Sequence, residues 1–240
     1  MRERPIVTID GPGGAGKTTA AMGLARKTGL ARLDTGAMYR ACALAARRAG
    51  ISWDDAAALE RLCADLALTF RDEGGGTRVL LGGEDVTEAI RAPEMGRGAS
   101  DVSRHLGVRE AMVALQRRLG AGGGLIAEGR DTGTVVFPDA EVKYFLDAAA
   151  AVRAMRRYLE WGPGRGPSFE EVLADLLRRD VQDSTREHSP LRVAPGAVYL
   201  DTTTRTAEAV VEEMLRAMPP EVRARLGPEA GAEGAGSGRS

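Results

Sequence analysis

Residues 5–10 open with an apolar, β-branched run, Ile6, Val7, Thr8 and Ile9, that stops abruptly at a glycine cluster. A short apolar run bounded by a turn signal predicts a buried strand. From Lys17 to Thr28, alanines, Met22 and Leu24 recur at helical spacing and Gly29 stands where a C-terminal cap is useful, so a helix is predicted there. Alanine-rich helical patterns follow over 38–48 and 53–65. The period then changes to two: 66–70 and 77–81 alternate around Gly74, Gly75 and Gly76, which predicts a hairpin, and Gly82-Gly83 adds a turn. Beyond it the pattern predicts helices over 109–119, 149–160, 169–180 and 207–218, and strands over 125–127, 142–146 and 198–200.

Strands alternating with helices imply an α/β fold with a mainly parallel sheet flanked by helices. The small β-containing insert between helices reads as an appended sub-domain. The glycine- and proline-rich break 161–167 is a candidate mobile tip, and the small, polar stretch 227–240 reads as a disordered tail. No internal repeat is visible. A chain of 240 residues is long enough for one large core, so a single domain over 1–226 is expected.

Charge narrows the partners. With 33 basic against 34 acidic side chains the net charge is −1, which gives no support to a nucleic-acid or membrane-surface partner. No apolar window approaches ~20 residues, so no membrane span is expected and the cytosol is the expected compartment. Nothing in this charge balance calls for self-association, and a monomer is expected. Cys42 and Cys63 are isolated, without metal-ligand or disulfide-framework spacing. Lys17, Lys27 and Lys143 are the only lysines beside 30 arginines, and asparagine is absent. Codon or thermal bias accounts for such a ratio, yet the arginine fork also matches phosphate oxygens, so the chain can hold several phosphates almost without lysine.

One of those three lysines lies in a specific motif. Gly11-Pro12-Gly13-Gly14-Ala15-Gly16-Lys17-Thr18 satisfies G-x-x-x-x-G-K-[ST] between a predicted strand and a predicted helix. Glycines let successive N–H groups face one concavity, and the helix N-terminus adds positive potential. Lys17 would meet the β/γ oxygens of ATP, and the Thr18 hydroxyl would bind Mg²⁺. A GTP-binding switch usually needs Asn-Lys-x-Asp to read guanine, which a chain without asparagine cannot supply. A phosphate-transferring kinase needs instead a second, arginine-rich cluster remote from the loop, and such clusters are present. Other readings are a non-catalytic ATP-binding module and a P-loop kinase for another small substrate such as UMP or shikimate.

Four segments form a set: 11–19, Leu33-Asp-Thr-Gly-Ala-Met-Tyr-Arg40, Glu128-Gly-Arg-Asp-Thr-Gly-Thr-Val-Val-Phe-Pro-Asp139, and Arg186-Glu-His-Ser-Pro-Leu191 preceding Tyr199-Leu-Asp-Thr-Thr203. In order and spacing the set resembles bacterial cytidylate kinases, P-loop enzymes that transfer phosphate from ATP to CMP and dCMP. The likeness runs from about residue 5 to about 218. It implies a core of about 1–35, 120–155 and 190–218, a nucleoside-monophosphate-binding insert of about 36–119 and a lid of about 157–189.

The resemblance also implies roles. Gly11 to Thr19 would hold the ATP phosphates, with Arg156 on the adenine. Ser100, Arg109 and Asp131 would surround the cytosine: Asp131 can accept from the N4 amine and Arg109 can donate to N3 or O2, a pattern that uracil reverses. Asp131 could instead pair with its neighbour Arg130. Arg40, Arg130 and Arg186 would gather round the CMP phosphate with Tyr39 and Thr35, and Arg179 and Asp183 would meet the ribose hydroxyls. Lys17, Arg130, Arg179 and Arg186 would carry the catalysis. The attacking phosphate oxygen is already anionic, so no general base is needed, and His105 and His188 fall outside these positions. Asp34 or Glu128 could hold the waters of Mg²⁺. The chain departs from the family at Thr132, commonly aliphatic, at Pro195-Gly196, often Ala-Asp, and at Gln182 and Ser184, where relatives can carry charge.

Overall fold

The computed structural model describes residues 2–72, 77–162 and 166–226. In chain order the elements are β1 (Arg4–Asp10), α1 (Lys17–Thr28), β2 (Ala31–Asp34), α2 (Thr35–Arg48), α3 (Ala56–Ala64), β3 (Leu68–Asp72), β4 (Thr77–Leu81), β5 (Glu84–Asp85), α4 (Pro93–Val102), α5 (Leu106–Leu119) and β6 (Gly123–Gly129). A π turn at Thr132–Val136 leads to β7 (Val142–Asp147), α6 (Ala150–Trp161), α7 (Phe169–Thr185), β8 (Val198–Asp201), α8 (Ala207–Ala217) and the short α9 (Pro220–Arg223).

Five strands form a parallel sheet in the order β2-β6-β1-β7-β8. Both of its faces are covered, which is why β1 is buried at every position after Arg4 and carries Ile6, Val7 and Ile9 in its middle. Ile6, Leu33, Leu125 and Ala127 pack one face against Met38 and Leu44 of α2, Leu59 of α3, Met95 of α4 and Met112 of α5. Val7, Ile9, Ile126, Tyr144 and Leu146 face the other way, onto Leu24 of α1 and Val210 and Met214 of α8. Because all five strands run the same way, the segments after β1, β2, β6, β7 and β8 emerge at one edge, where ligands bind in folds of this kind. The motif residues after β1, β2 and β6 therefore meet. A second, antiparallel sheet, β3-β4-β5, adds Leu68 and Val79 to the first of these cores, and Val86 joins it just past β5.

Helix α1 spans the predicted residues, and Gly29 caps it in the left-handed region with φ +61°. Three other helices begin earlier or run further than the apolar pattern indicates. Asp34 accepts from Ala37 N–H at 2.9 Å, so α2 starts at Thr35 instead of residue 38. Helix α5 starts at Leu106, and α7 continues five residues past 180 to Thr185, bringing Asp183 onto the helix. Pattern reading omits β2, β5, α4, the π turn and the short α9. Conversely, the helix expected from Trp53 begins only at Ala56, behind its cap Asp55. The expected hairpin tip 74–76, residues 163–165 of the expected mobile tip and the expected tail 227–240 lie outside the described residues. Among the described residues no helix is long and apolar enough to cross a membrane.

Candidate active site at the carboxyl edge of the sheet

The phosphate motif folds as a loop pressed against β7 and α6. Gly11 has φ +148°, and a Cβ there would sit 1.9 Å from the carbonyl oxygen of Leu146. Gly14, at φ +75°, would put a Cβ 2.8 Å from the carbonyl of Arg153. These two positions admit only glycine. Lys17 is 8% exposed and donates from Nζ to the carbonyl of Pro12 at 2.7 Å. Thr18 donates its hydroxyl to Glu128 Oε2 at 2.7 Å, and Glu128 stands beside Ile9 at the end of β6. Burial, reinforced by Arg130, pulls the Lys17 ammonium down to about 7. Burial and the Asp34 charge push the Glu128 carboxyl up to about 7. Both groups are thus held in a setting whose charge balance a polyphosphate and its cation would change.

Arg156 lies at the flank of the loop. Its guanidinium donates to Thr202 O at 2.6 Å, to Thr202 Oγ1 at 3.1 Å and to Gly14 O at 3.4 Å. One turn earlier on α6, Arg153 was missed by sequence reading. It donates to Gly13 O at 3.2 Å and Ala148 O at 2.7 Å, and pairs with Asp180 of α7 at 2.8 Å.

The second cluster gathers from α2, α4, α5, β6, the π turn and α7. Arg109 is 2% exposed, hydrogen-bonds Asp131 and lies over the Tyr39 ring at 5.6 Å from its centroid. Arg186 approaches the same Asp131 at 3.8 Å and Asp183 at 3.6 Å. Asp131 therefore pairs with residues distant in sequence, and not with adjacent Arg130. Arg130 instead donates to Asp183 at 2.8 Å. Burial opposes the charge of Asp183, but Arg130 and Arg186 outweigh it and hold its carboxyl low. Arg40 pairs with Asp34 at 2.8 Å, and Thr35 donates to the Glu128 carbonyl at 2.8 Å. Arg179 donates to Gly96 O at 2.8 Å and is drawn down to about 10 by burial and by Arg130 and Arg157. Arg179 and Asp183 share a helix face without bonding to each other. Arg157, to which the sequence assigned no role, pairs with Glu160 at 3.9 Å, and burial together with the charges of Arg40 and Arg130 draws its guanidinium down.

Several buried polar atoms of this cluster have no hydrogen-bond partner in the protein: Tyr39 OH, Arg40 Nε, Ser100 Oγ, Arg109 Nε, Arg186 Nη2 and Glu128 Oε1. Buried polar groups are normally satisfied, so such a concentration in one place marks a ligand surface. The departures at Gln182 and Thr132 also enter the site. Gln182 donates to the Ser100 carbonyl at 3.0 Å, and the Thr132 hydroxyl donates to Asp10 at 2.7 Å. His105 bonds the Trp53 carbonyl at 2.8 Å, and His188 lines a groove of about 480 Å³ with Leu106, Val113 and Val135. Among the described residues no group of three His, Cys, Asp or Glu could by itself hold a metal.

The sequence profile of the family described as cytidylate kinase matches residues 7–219. A cytidylate kinase of Geobacter sp. (strain M21) is 52% identical over 212 residues, which cover 88% of this chain and 91% of that protein. Another, of Vibrio cholerae serotype O1, is 46% identical over 213 residues, covering 88% of this chain and 95% of that one. Among solved structures, a shikimate kinase from Acinetobacter baumannii in complex with shikimate covers 89% of this chain and 92% of its own, at 17% identity and a TM-score of 0.44.

Proposed function

This chain belongs to the cytidylate kinase family, and from that premise we propose how its residues divide the work of transferring the γ-phosphate of ATP to CMP or dCMP. The observation that carries the assignment is the group of unpartnered buried atoms on Tyr39, Arg40, Ser100, Arg109 and Arg186. Asp131 accepts from the cytosine N4 amine, Arg109 donates to N3 or O2, and Ser100 adds a hydroxyl. Arg40, Arg130 and Arg186, with Tyr39 and Thr35, hold the CMP phosphate. Arg179 and Asp183 meet the ribose. Gly11 to Thr19 cradle the ATP phosphates, and Arg156, anchored on Thr202, borders the adenine.

The acceptor phosphate is anionic at neutral pH, so proton abstraction is not the difficulty. Two polyanions must be brought together, aligned and kept from water. Lys17 and the converging arginines supply fixed positive charge where the transferred group gathers negative charge. The Thr18 hydroxyl and the unpartnered Oε1 of Glu128 fit a hydrated Mg²⁺, Thr18 as ligand and Glu128 as acceptor for its waters. When bound, that ion would neutralise charge on the β and γ oxygens. Asp34 is less suited to this role because Arg40 and the cap of α2 occupy it.

We assign the core to about 1–35, 120–155 and 190–218, the insert to about 36–119 and the lid to about 157–189, in a cytosolic monomer. The test is a substrate panel. ADP should form much faster with CMP or dCMP than with UMP or AMP, and Asp131→Asn should lower the CMP/UMP ratio of kcat/KM by about 100-fold, toward what loss of a buried polar contact costs. Equal use of UMP by the unaltered enzyme would overturn the base assignment. ATP binding without turnover of any monophosphate would make the chain a binding module.

A further inference from the structure

Asp10 is the last residue of β1, and the phosphate loop begins at the next position. Its side chain is 2% exposed, and its hydrogen bonds go to one place. Oδ1 accepts from Thr132 N–H at 2.9 Å and from the Thr132 hydroxyl at 2.7 Å, while Oδ2 accepts from Gly133 N–H at 2.7 Å. These are the first N–H groups of the π turn, which have no partner within the turn itself. A cap donated by another strand, 122 residues away in sequence, thus closes the start of the turn.

That turn begins at Asp131. The Asp131 carbonyl accepts from Val135 N–H at 2.9 Å and Val136 N–H at 3.3 Å, so the turn holds its own end of the residue. Asp10 holds the following peptide. The fit leaves little slack: a Cβ on Gly133 would lie 2.8 Å from Thr8 Oγ1 and 3.3 Å from Asp10 Oδ2. Keeping a carboxylate buried costs desolvation, and an apolar residue would pack there without it.

We infer that Asp10 is a positioning residue for cytosine discrimination: by clamping Thr132 and Gly133 it fixes the base-facing Asp131 relative to the phosphate loop. The inference rests on the proposed role of Asp131. The charge of Asp10 also acts on Lys17 and Arg130, whereas Thr132→Val leaves that charge in place and reports only what travels through the turn. Replacing it by asparagine turns an amide NH₂ toward an N–H donor, so at least one of the three bonds is lost and a donor faces a donor.

The experiment compares kcat/KM for CMP and UMP, and KM for ATP, in the unaltered enzyme, Asp10→Asn, Thr132→Val and Asp131→Asn. Asp10→Asn should lower the CMP/UMP ratio by about 10-fold or more, the scale of a hydrogen bond to a charged group, with KM for ATP within about threefold. Thr132→Val keeps the volume and both backbone donors, and should lower the ratio about two- to fivefold. A merely structural role would depress CMP, UMP and ATP use by one common factor, and that result overturns the inference. An unchanged ratio in both variants does so as well. If Asp10→Asn does not fold, Thr132→Val decides alone: a lowered ratio supports the clamp and an unchanged one sinks it. Asp131→Asn separates the two readings. If it preserves the ratio, the base assignment fails and takes this inference with it. If it lowers the ratio while the other two variants do not, only the clamp fails.

Discussion

Asp183 receives Arg130 at 2.8 Å and Arg186 at 3.6 Å, so one buried carboxylate is shared by two guanidinium groups. Breaking a buried pair by removing one charge costs about 3–5 kcal/mol, much of it for the charges left behind. The sign with pH follows from the lowered carboxyl. In the folded state Asp183 binds a proton less readily than in the unfolded chain, so its contribution is full above the unfolded pKa and is lost as pH falls through the folded one. Asp183→Asn should therefore melt well below the unaltered protein near neutral pH, and the gap should shrink below about pH 4, where carboxylates begin to protonate. A gap of constant size across that range would show that the charge of Asp183 does not stabilise the fold. The same arginines explain why a chain with 3 lysines loses nothing at this site: forked donors can serve a carboxylate and a phosphate from neighbouring nitrogens, as a lysine cannot.

At the scale of elements, Arg153 joins three of them, with the phosphate loop at Gly13 O, the end of β7 at Ala148 O and α7 at Asp180. Arg153→Ala should remove about 3 kcal/mol of stability and lower the melting temperature by roughly 6–12 °C in a protein of this size. A loss under about 2 °C would mean that α7 is held by its other contacts. How much of this was legible follows the kind of signal each element carries. The strand, loop and helix from Arg4 to Thr28 were legible because an apolar run, the glycines and the cap sit side by side in sequence. Helix α4 was not: Gly96, Gly98 and Ser100 have weak helix preference, and only burial of Met95 and Val102 makes it form. Strand β2 has four residues, two of them charged, and exists because β6 pairs with it. The motifs that named Arg109, Asp131 and Arg186 were legible as types at given positions. Their mutual pairing was not, since it depends on crossovers between distant segments, and the same reason hid Arg153, Arg157 and the Asp10 clamp.

For the whole molecule, α7 makes up most of the proposed lid, and beyond its packing on α6 its attachments are chiefly polar. It buries Val172 and Leu176 but leaves Leu177 and Val181 exposed. Besides the edge-on contact of Phe169 with Tyr158 of α6, it is held by Arg179 on Gly96 O, Gln182 on Ser100 O, Asp180 on Arg153 and Asp183 on Arg130. An element with little apolar burial opens at lower cost than a central strand, so amides of α7 should exchange with solvent faster than those of β1 in the free protein. Opening α7 would carry away Arg179 and Asp183 and disturb Arg186, and with them the proposed CMP site. Such an opening competes with binding, and CMP should slow it by the factor 1 + [CMP]/Kd, about 100-fold at 100 times Kd. Global unfolding also destroys the site, so β1 should slow by the same factor. The β3–β4 hairpin carries no proposed contact to CMP, and any local opening of it should proceed at an unchanged rate. Exchange measured by mass spectrometry with and without CMP distinguishes these cases. If CMP slows β1 and leaves α7 unaffected, α7 opens without disturbing the site and its arginine and aspartate do not hold the nucleotide.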